Sequence, residues 1–211
     1  MANAFSEIAQ KLREILSAKS SNPSAIDDSP PAVSPEEYIA LIPPKKNEII
    51  RNETLERMMR DIESCGFFRA EKFPDLRLII KKVGGYNNDP FSYEDCLYFE
   101  EKEALRIDTD HKISREMVEC MTPRGLSQRD PHNIIPAIYY MNFFAVTRKY
   151  QLIELRARGV KNVEIVNLGG ELDCRAIAKF KRKYSLEEVP LLPLARCDAP
   201  YCRCEYVACD D

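Results

Sequence analysis

Apolar residues recur every three to four positions over much of the chain, and most such stretches are bounded by a capping residue, a proline or a glycine. Phe5, Ile8, Leu12, Ile15 and Leu16 share one face of residues 3–18, which predicts an amphipathic helix of about four turns. Its polar face mixes Glu7, Lys11, Arg13 and Glu14. That mixture suits docking on a protein partner or on the chain's own body rather than on an anionic membrane. Residues 19–33, rich in Ser, Pro and Asp, have little to bury and read as a flexible linker.

A helical domain is expected over residues 34–158. Ser34-Pro35-Glu36-Glu37 has the form of a capping box with proline at the first helical position, and Pro43-Pro44 ends that helix. Asn52 is placed to cap a second helix through Met58, Met59 and Ile62, which Cys65-Gly66 terminates. Residues 76–83, LRLIIKKV, read as a short helix ending at Gly84-Gly85, with a strand as the alternative. Ser92 opens a further helix to about Arg106, and Ser114 caps one that ends before Pro123. The longest helix is expected over 131–158, where Ile134, Ile135, Ile138, Met141, Phe144, Ala145, Leu152 and Leu155 keep the helical period. Pro136 falls in its first turns, and Gly159 ends it.

The period changes in residues 159–211. Val163 to Leu168 alternate like a strand, Gly169-Gly170 turn the chain, and residues 172–182 read as a short helix. The remainder, EVPLLPLARCDAPYCRCEYVAC, is extended and broken by proline. The expected fold class is therefore mainly α with a small α+β C-terminal module.

Composition adds limits. The chain has 211 residues, 45% hydrophobic and 31% charged, with a net charge of −3. That is enough apolar matter for a core, and the wrong balance for coating nucleic acid or anionic lipid. No apolar run reaches the length of a spanning helix, and the first residues lack the pattern of a secretory signal. A cytoplasmic location is expected, or a virion if the chain is phage-encoded. A second copy of the chain is an admissible partner.

Eight cysteines change the picture more. Cys65, Cys96 and Cys120 are isolated in helical-looking stretches and read as small buried apolar side chains. The other five fall in the last 38 residues. Twenty-two residues separate Cys174 from Cys197, four separate Cys197 from Cys202, and one separates Cys202 from Cys204. Four thiolates close a tetrahedral shell around Zn²⁺ and leave no open position, the form of a structural site. Arg175, Arg196 and Arg203 would favour thiolate over thiol, and Cys209 is a spare for Cys204. A disulfide such as Cys174–Cys202 or Cys197–Cys202, or plain thiols in a small core, are the alternatives.

The run from Leu155 to Tyr206 resembles the C-terminal module of phage minor head, or head-morphogenesis, proteins, and similar tails of small bacterial proteins. The parts that carry the resemblance are Gly159 to Ile165, Glu171 to Cys174, Tyr184 to Pro193, and Cys202-Arg203-Cys204. The family's C-x-x-C has Ile177 in its second position here, and no histidine precedes Cys202. The resemblance implies that Cys197 supplies the missing ligand from a shifted position. It also implies a capsid-associated accessory protein. The match covers about a quarter of the chain.

Other patterns point elsewhere. Pro74-Asp75 with Glu100-Glu101-Lys102 fits the loose form of a Mg²⁺-dependent nuclease, but that chemistry needs the second part on a buried strand, and CLYFEEKEALRI has a helical period. Asp108, Asp110 and His111 read as a polar loop, and His132 as part of a helix start. Between Arg148 and Cys204 twelve Lys or Arg face seven Asp or Glu, an excess of five. Within that stretch Arg175, Lys179, Lys181, Arg182 and Lys183 could contact nucleic-acid phosphates, or form a solvated helix face. The reading carried forward is a non-catalytic structural or interaction protein. Its C-terminal module would be stapled by zinc through Cys174, Cys197, Cys202 and Cys204, and residues 3–18 would meet a protein partner. Nucleic-acid binding and a nuclease are the alternatives.

Overall fold

The computed structural model describes residues 11–12, 46–83, 95–107, 112–167, 183–194, 197 and 202–209. The described residues are mainly helical, with one small antiparallel sheet. Among them no helix is long and apolar enough to cross a membrane. The expected helices from Ser34 and over 172–182, the linker 19–33, and the turns Gly84-Gly85 and Gly169-Gly170 lie outside the described residues. Of the N-terminal segment, Lys11 and Leu12 are helical. Leu12 is fully buried.

Two compact units divide the chain, and neither is continuous. One comprises residues 1–19 and 55–140, the other 20–54 and 141–211. The boundaries between residues 54 and 55 and between residues 140 and 141 fall inside helices.

Helix α1 spans Lys46–Cys65. It begins six residues before Asn52, so Asn52 is not its cap but an exposed residue within it. The apolar stripe explains this. Ile50, Thr54, Leu55, Met58, Met59, Ile62 and Cys65 are all buried and run in phase from before Asn52. Thr54 fits because its hydroxyl donates to the Ile50 carbonyl at 2.7 Å, satisfying it inside the helix. Gly66, with φ +75, ends the helix as expected.

In the first unit, a 3₁₀ turn at Ala70–Lys72 leads into helix α2, Phe73–Val83, with Leu76 and Ile80 buried four apart. The helical reading of 76–83 thus holds, and it starts earlier. Helix α3 covers Phe99–Leu105, shorter than the expected helix from Ser92. The segment before it is extended instead, because Cys96 pairs antiparallel with Ser114. The Leu97 amide donates to the Ile113 carbonyl and the Arg115 amide to the Asp95 carbonyl, each at 3.0 Å. Cys96 is therefore a half-buried bridge residue, not a helical one. Cys65 and Cys120 are buried as expected, and burial raises the pKa of the Cys120 thiol.

Glu101 fixes the start of α3 by accepting the Tyr98 amide at 2.8 Å. It also receives both terminal nitrogens of Arg115, Nη2 at 2.7 Å, while Arg115 Nε donates to Asp95 at 2.9 Å. Helix α4, Arg115–Cys120, is capped by Ser114, whose hydroxyl accepts the Met117 amide at 3.2 Å. A four-residue helix α5 follows at Pro123–Leu126. Phe67 and its neighbours pack here. The Thr122 amide donates to the Phe67 carbonyl at 2.9 Å, and the Arg69 amide to the Cys120 carbonyl at 2.9 Å. Gly125 is buried against this junction.

Helix α6, Ile134–Ala157, is the longest described helix and follows a 3₁₀ turn at Pro131–Asn133 that contains His132. In the second unit it has two apolar faces. Val146, Tyr150 and Ile153 pack with Ile50, whereas Leu152 and Leu155 join the core under the sheet. Ion pairs of Lys46 with Glu154, and of Lys149 with Glu53 at 3.0 Å, tie α6 to the first turns of α1. Gly159, with φ +73, ends α6.

The sheet has the order β2-β1-β3. Strand β1 is Asn162–Asn167, β2 is Lys183–Ser185 and β3 is Cys204–Cys209. Both pairings are antiparallel, with Val163 opposite Tyr184 on one side and Ile165 opposite Tyr206 on the other. β1 was expected. The extended character of the last residues resolves into β3.

A Cβ at Gly125 would stand 2.3 Å from the Phe67 carbonyl oxygen, whereas one at Gly159 would meet nothing within 4 Å. Gly125→Ala should therefore cost about 2–3 kcal/mol or more by overpacking, and Gly159→Ala only about 1–2 kcal/mol of left-handed strain. Urea denaturation of the two variants checks that order. A second expectation concerns acid. The Arg115 hydrogen bond, then the Tyr98 amide, hold the Glu101 carboxyl below its ordinary value of 4.5. A carboxylate depressed on folding stabilises at pH above its unfolded value, and that stabilisation is lost as pH falls through the folded value. Melting temperatures of Glu101→Gln and the parent chain should differ at pH 7 and converge well below pH 4.5, modestly, because the pair is partly exposed.

Candidate metal centre

Cys197, Cys202 and Cys204 share one core, where a proline-broken loop meets the start of β3. β3 pairs along its whole length with β1, from Asn167 opposite Cys204 to Asn162 opposite Cys209. Val163 and Ile165 of β1 and Cys204 and Tyr206 of β3 are buried, as alternation on a half-covered sheet requires. Below them lie Leu152 and Leu155 of α6 and Leu186, Val189, Leu192 and Leu194 of the loop, in one core with Cys197, Cys202 and Cys204. Each apolar side chain fully buried in this way contributes ~1.5–3 kcal/mol.

Proline leaves the loop with backbone groups that no regular ladder can satisfy. Tyr206 satisfies two of them. Its hydroxyl donates to the Pro190 carbonyl at 2.9 Å and accepts the Leu192 amide at 2.8 Å. Burial is the main influence on that hydroxyl and pushes its pKa far up. The backbone of Tyr206 is held as well. Gln151 Nε2 of α6 donates to the Tyr206 carbonyl at 2.8 Å, and the Tyr206 amide donates to Gln151 Oε1 at 3.4 Å. One glutamine side chain thereby covers the open edge of β3, a place where unpaired backbone would otherwise invite another strand.

Three of the four expected ligands are described, and all three are buried: Cys197, Cys202 and Cys204 are 3%, 2% and 1% exposed. The Cys202 thiol hydrogen-bonds with both of the others, and the Cys204 backbone bonds to it as well. The bond with Cys197 draws the Cys202 pKa down. The bond with Cys204 and burial outweigh that, and the thiol is pushed up to about 11. The expectation that neighbouring arginines favour thiolate is not met at this residue. Arg203 is exposed, and Arg175 and Arg196 lie outside the described residues. No disulfide joins the seven described cysteines. Among the described residues no three His, Cys, Asp or Glu side chains are grouped so as to hold a metal; the thiol contacts run through Cys202 rather than closing a shell. Cys174, the fourth expected ligand, lies outside the described residues.

Cys209 cannot serve as the spare. It stands at the opposite end of β3 from Cys204, five strand steps or ~16 Å away and on the other face. Thiolates on one zinc lie within ~4 Å of each other. Thiols are the donor type that structural Zn²⁺ takes, but the three described here are not arranged as a shell.

The alternative sites are not assembled. Asp75 is exposed in the first turn of α2, and Glu100 and Lys102 stand on α3, Glu100 exposed and Lys102 buried. No buried strand carries the pair. Lys183 is exposed on β2, opposite Glu164, so it belongs to a strand and not to the solvated helix face expected of the basic run. Arg175, Lys179, Lys181 and Arg182 lie outside the described residues, as do Asp108, Asp110 and His111. Sequence reading missed Tyr206 and Gln151. The terminal C-R-C-E-Y placed Tyr206 two residues after Cys204 on the same strand face, the one signal that could have found it.

Tyr206→Phe should destabilise the chain by about 1–3 kcal/mol, because the Pro190 carbonyl and the Leu192 amide stay buried without a partner. Chemical denaturation followed by circular dichroism measures this; a loss under 0.5 kcal/mol would mean that water replaces the hydroxyl. Comparison with protein-family models, with curated proteins and with solved structures finds no match for this chain.

Proposed function

We propose that Cys174, Cys197, Cys202 and Cys204 bind one Zn²⁺ in a closed structural site, and that the chain is a non-catalytic structural or interaction protein whose C-terminal module this ion staples. One observation carries the reading. Three thiols from a stretch of eight residues are buried together, with Cys202 bonded to both others. Bulky aliphatic side chains would fill an apolar core better than thiols do, so a cluster of thiols supports ligation over packing.

A bound zinc would supply cross-linking and nothing catalytic, since four protein ligands leave no position for water or substrate. It would also close the segment from residue 174 to 197 and hold it to β3, where the sheet and the Tyr206 bonds already fix the other end. The resemblance of residues 155–206 to the phage head-morphogenesis module extends the reading to a capsid-associated accessory component.

Protein purified under reducing conditions should carry about one zinc per chain. A strong chelator should lower its melting temperature, because metal-binding free energy is folding free energy in such a module. Cys202→Ser should abolish the zinc, whereas Cys65→Ser and Cys120→Ser, in the other unit, should leave it. Elemental analysis showing no zinc, together with melting that a chelator does not move, would sink the proposal.

A further inference from the structure

We propose that the outer face of helix α3, together with the tyrosine before it, is a docking surface for a basic amphipathic segment of another protein. The residues that carry it are Tyr98, Phe99, Glu100 and Glu103. The inference does not depend on zinc.

Helix α3 is built inside out. Six large apolar side chains are exposed among the described residues, and three belong to this short stretch: Tyr98 at 71%, Phe99 at 56% and Leu105 at 43%. No other described aromatic residue is exposed. The one lysine of the helix, Lys102, is buried instead. A single exposed leucine is ordinary on any surface, whereas two adjacent aromatic rings in water form a patch of the kind enriched where proteins meet.

The rings stand on an ordered frame. The pairing of Cys96 with Ser114 fixes the segment that enters the helix. Glu101 accepts the Tyr98 amide at 2.8 Å and pairs with Arg115, whose guanidinium carbon lies 5.9 Å from the centre of the Tyr98 ring. Tyr98 and the start of α3 are thus set before a partner arrives, which lowers the cost of binding.

Charge selects the partner. By the helical period Phe99 neighbours Glu103 one turn on, and Glu100 neighbours Glu103; all three are exposed. Asp95 and Glu101 share Arg115, but no ion pair engages Glu100 or Glu103 among the described residues. The exposed Arg106 stands at the far end of the helix. Aromatic rings beside two free carboxylates fit a segment that presents apolar side chains flanked by Lys or Arg. A second copy of the chain fits less well, because a two-fold contact through this face would set Glu100 and Glu103 against their own copies.

The test titrates the full-length chain into a dye-labelled synthetic peptide of Leu and Lys at helical spacing, read by fluorescence anisotropy. Two control peptides carry Glu for every Lys, or Ser for every Leu. The parent should bind the Leu/Lys peptide and neither control. Phe99→Ser should weaken that binding about 10-fold or more, as loss of a central aromatic anchor does. Glu100→Lys combined with Glu103→Lys should reverse the preference toward the Leu/Glu peptide. Both glutamates are exposed, so this second variant decides the matter even where Phe99→Ser fails to fold; circular dichroism checks both. No binding by the parent, equal binding of the Ser/Lys peptide, or unchanged binding by either folded variant overturns the proposal. So does a concentration-dependent dimer of the parent, seen by sedimentation, that Phe99→Ser abolishes, since the face would then belong to a second copy.

Discussion

A single buried tyrosine carries the main constraint of the C-terminal module. The loop from Leu186 to Leu194 contains Pro190 and Pro193, cannot build a ladder, and yet contributes four buried side chains to the core. Its backbone has to be satisfied by something that reaches in from outside. The Tyr206 hydroxyl does so at two points, and Gln151 fixes the backbone of Tyr206 in turn. The chain of contacts therefore runs from α6 through the edge of β3 into the loop, and Cys204 and Cys202 ride on it. The thiols meet where a polar network holds the strand that begins at Cys204.

The long helix shows a related economy. Its buried positions wrap most of its circumference because it serves two cores in the second unit, one with Ile50 and one with the sheet. A helix in that role cannot show a single stripe, so its wide apolar pattern was a sign of centrality and not of a membrane span. The ion pairs at its flank, Lys149 with Glu53 and Lys46 with Glu154, fix its register against α1 more than they stabilise, as partly exposed pairs do.

The thiol cluster lies between two chemical states. Left as thiols, Cys197, Cys202 and Cys204 form a small polar patch inside an aliphatic core, with the Cys202 proton held tightly. In the proposed zinc-bound form the same patch would cross-link the loop, residues 202–204 and Cys174.

Much of the helical plan was legible in the sequence, because it depends on interactions within a few residues. The Ser114 cap, the glycines at 66 and 159 that accept positive φ, and the period of α6 are local chemistry, and the uneven placing of the cysteines marked the module. The failures are non-local. Asn52 was taken for a cap because its type suits one, whereas the buried stripe from Ile50 decided where α1 begins. The helix expected from Ser92 starts only at Phe99 because Cys96 pairs with a segment eighteen residues away. β2 and β3 gave weak signals because short strands exist only through their partners. Sequence alone determined which residues could ligate a metal. Tertiary structure decided which of them meet: it excluded Cys209 by a strand's length, joined Cys197 to Cys202, and set Tyr206 in the same core with Gln151 holding its backbone, since register and burial arise only when distant segments pack.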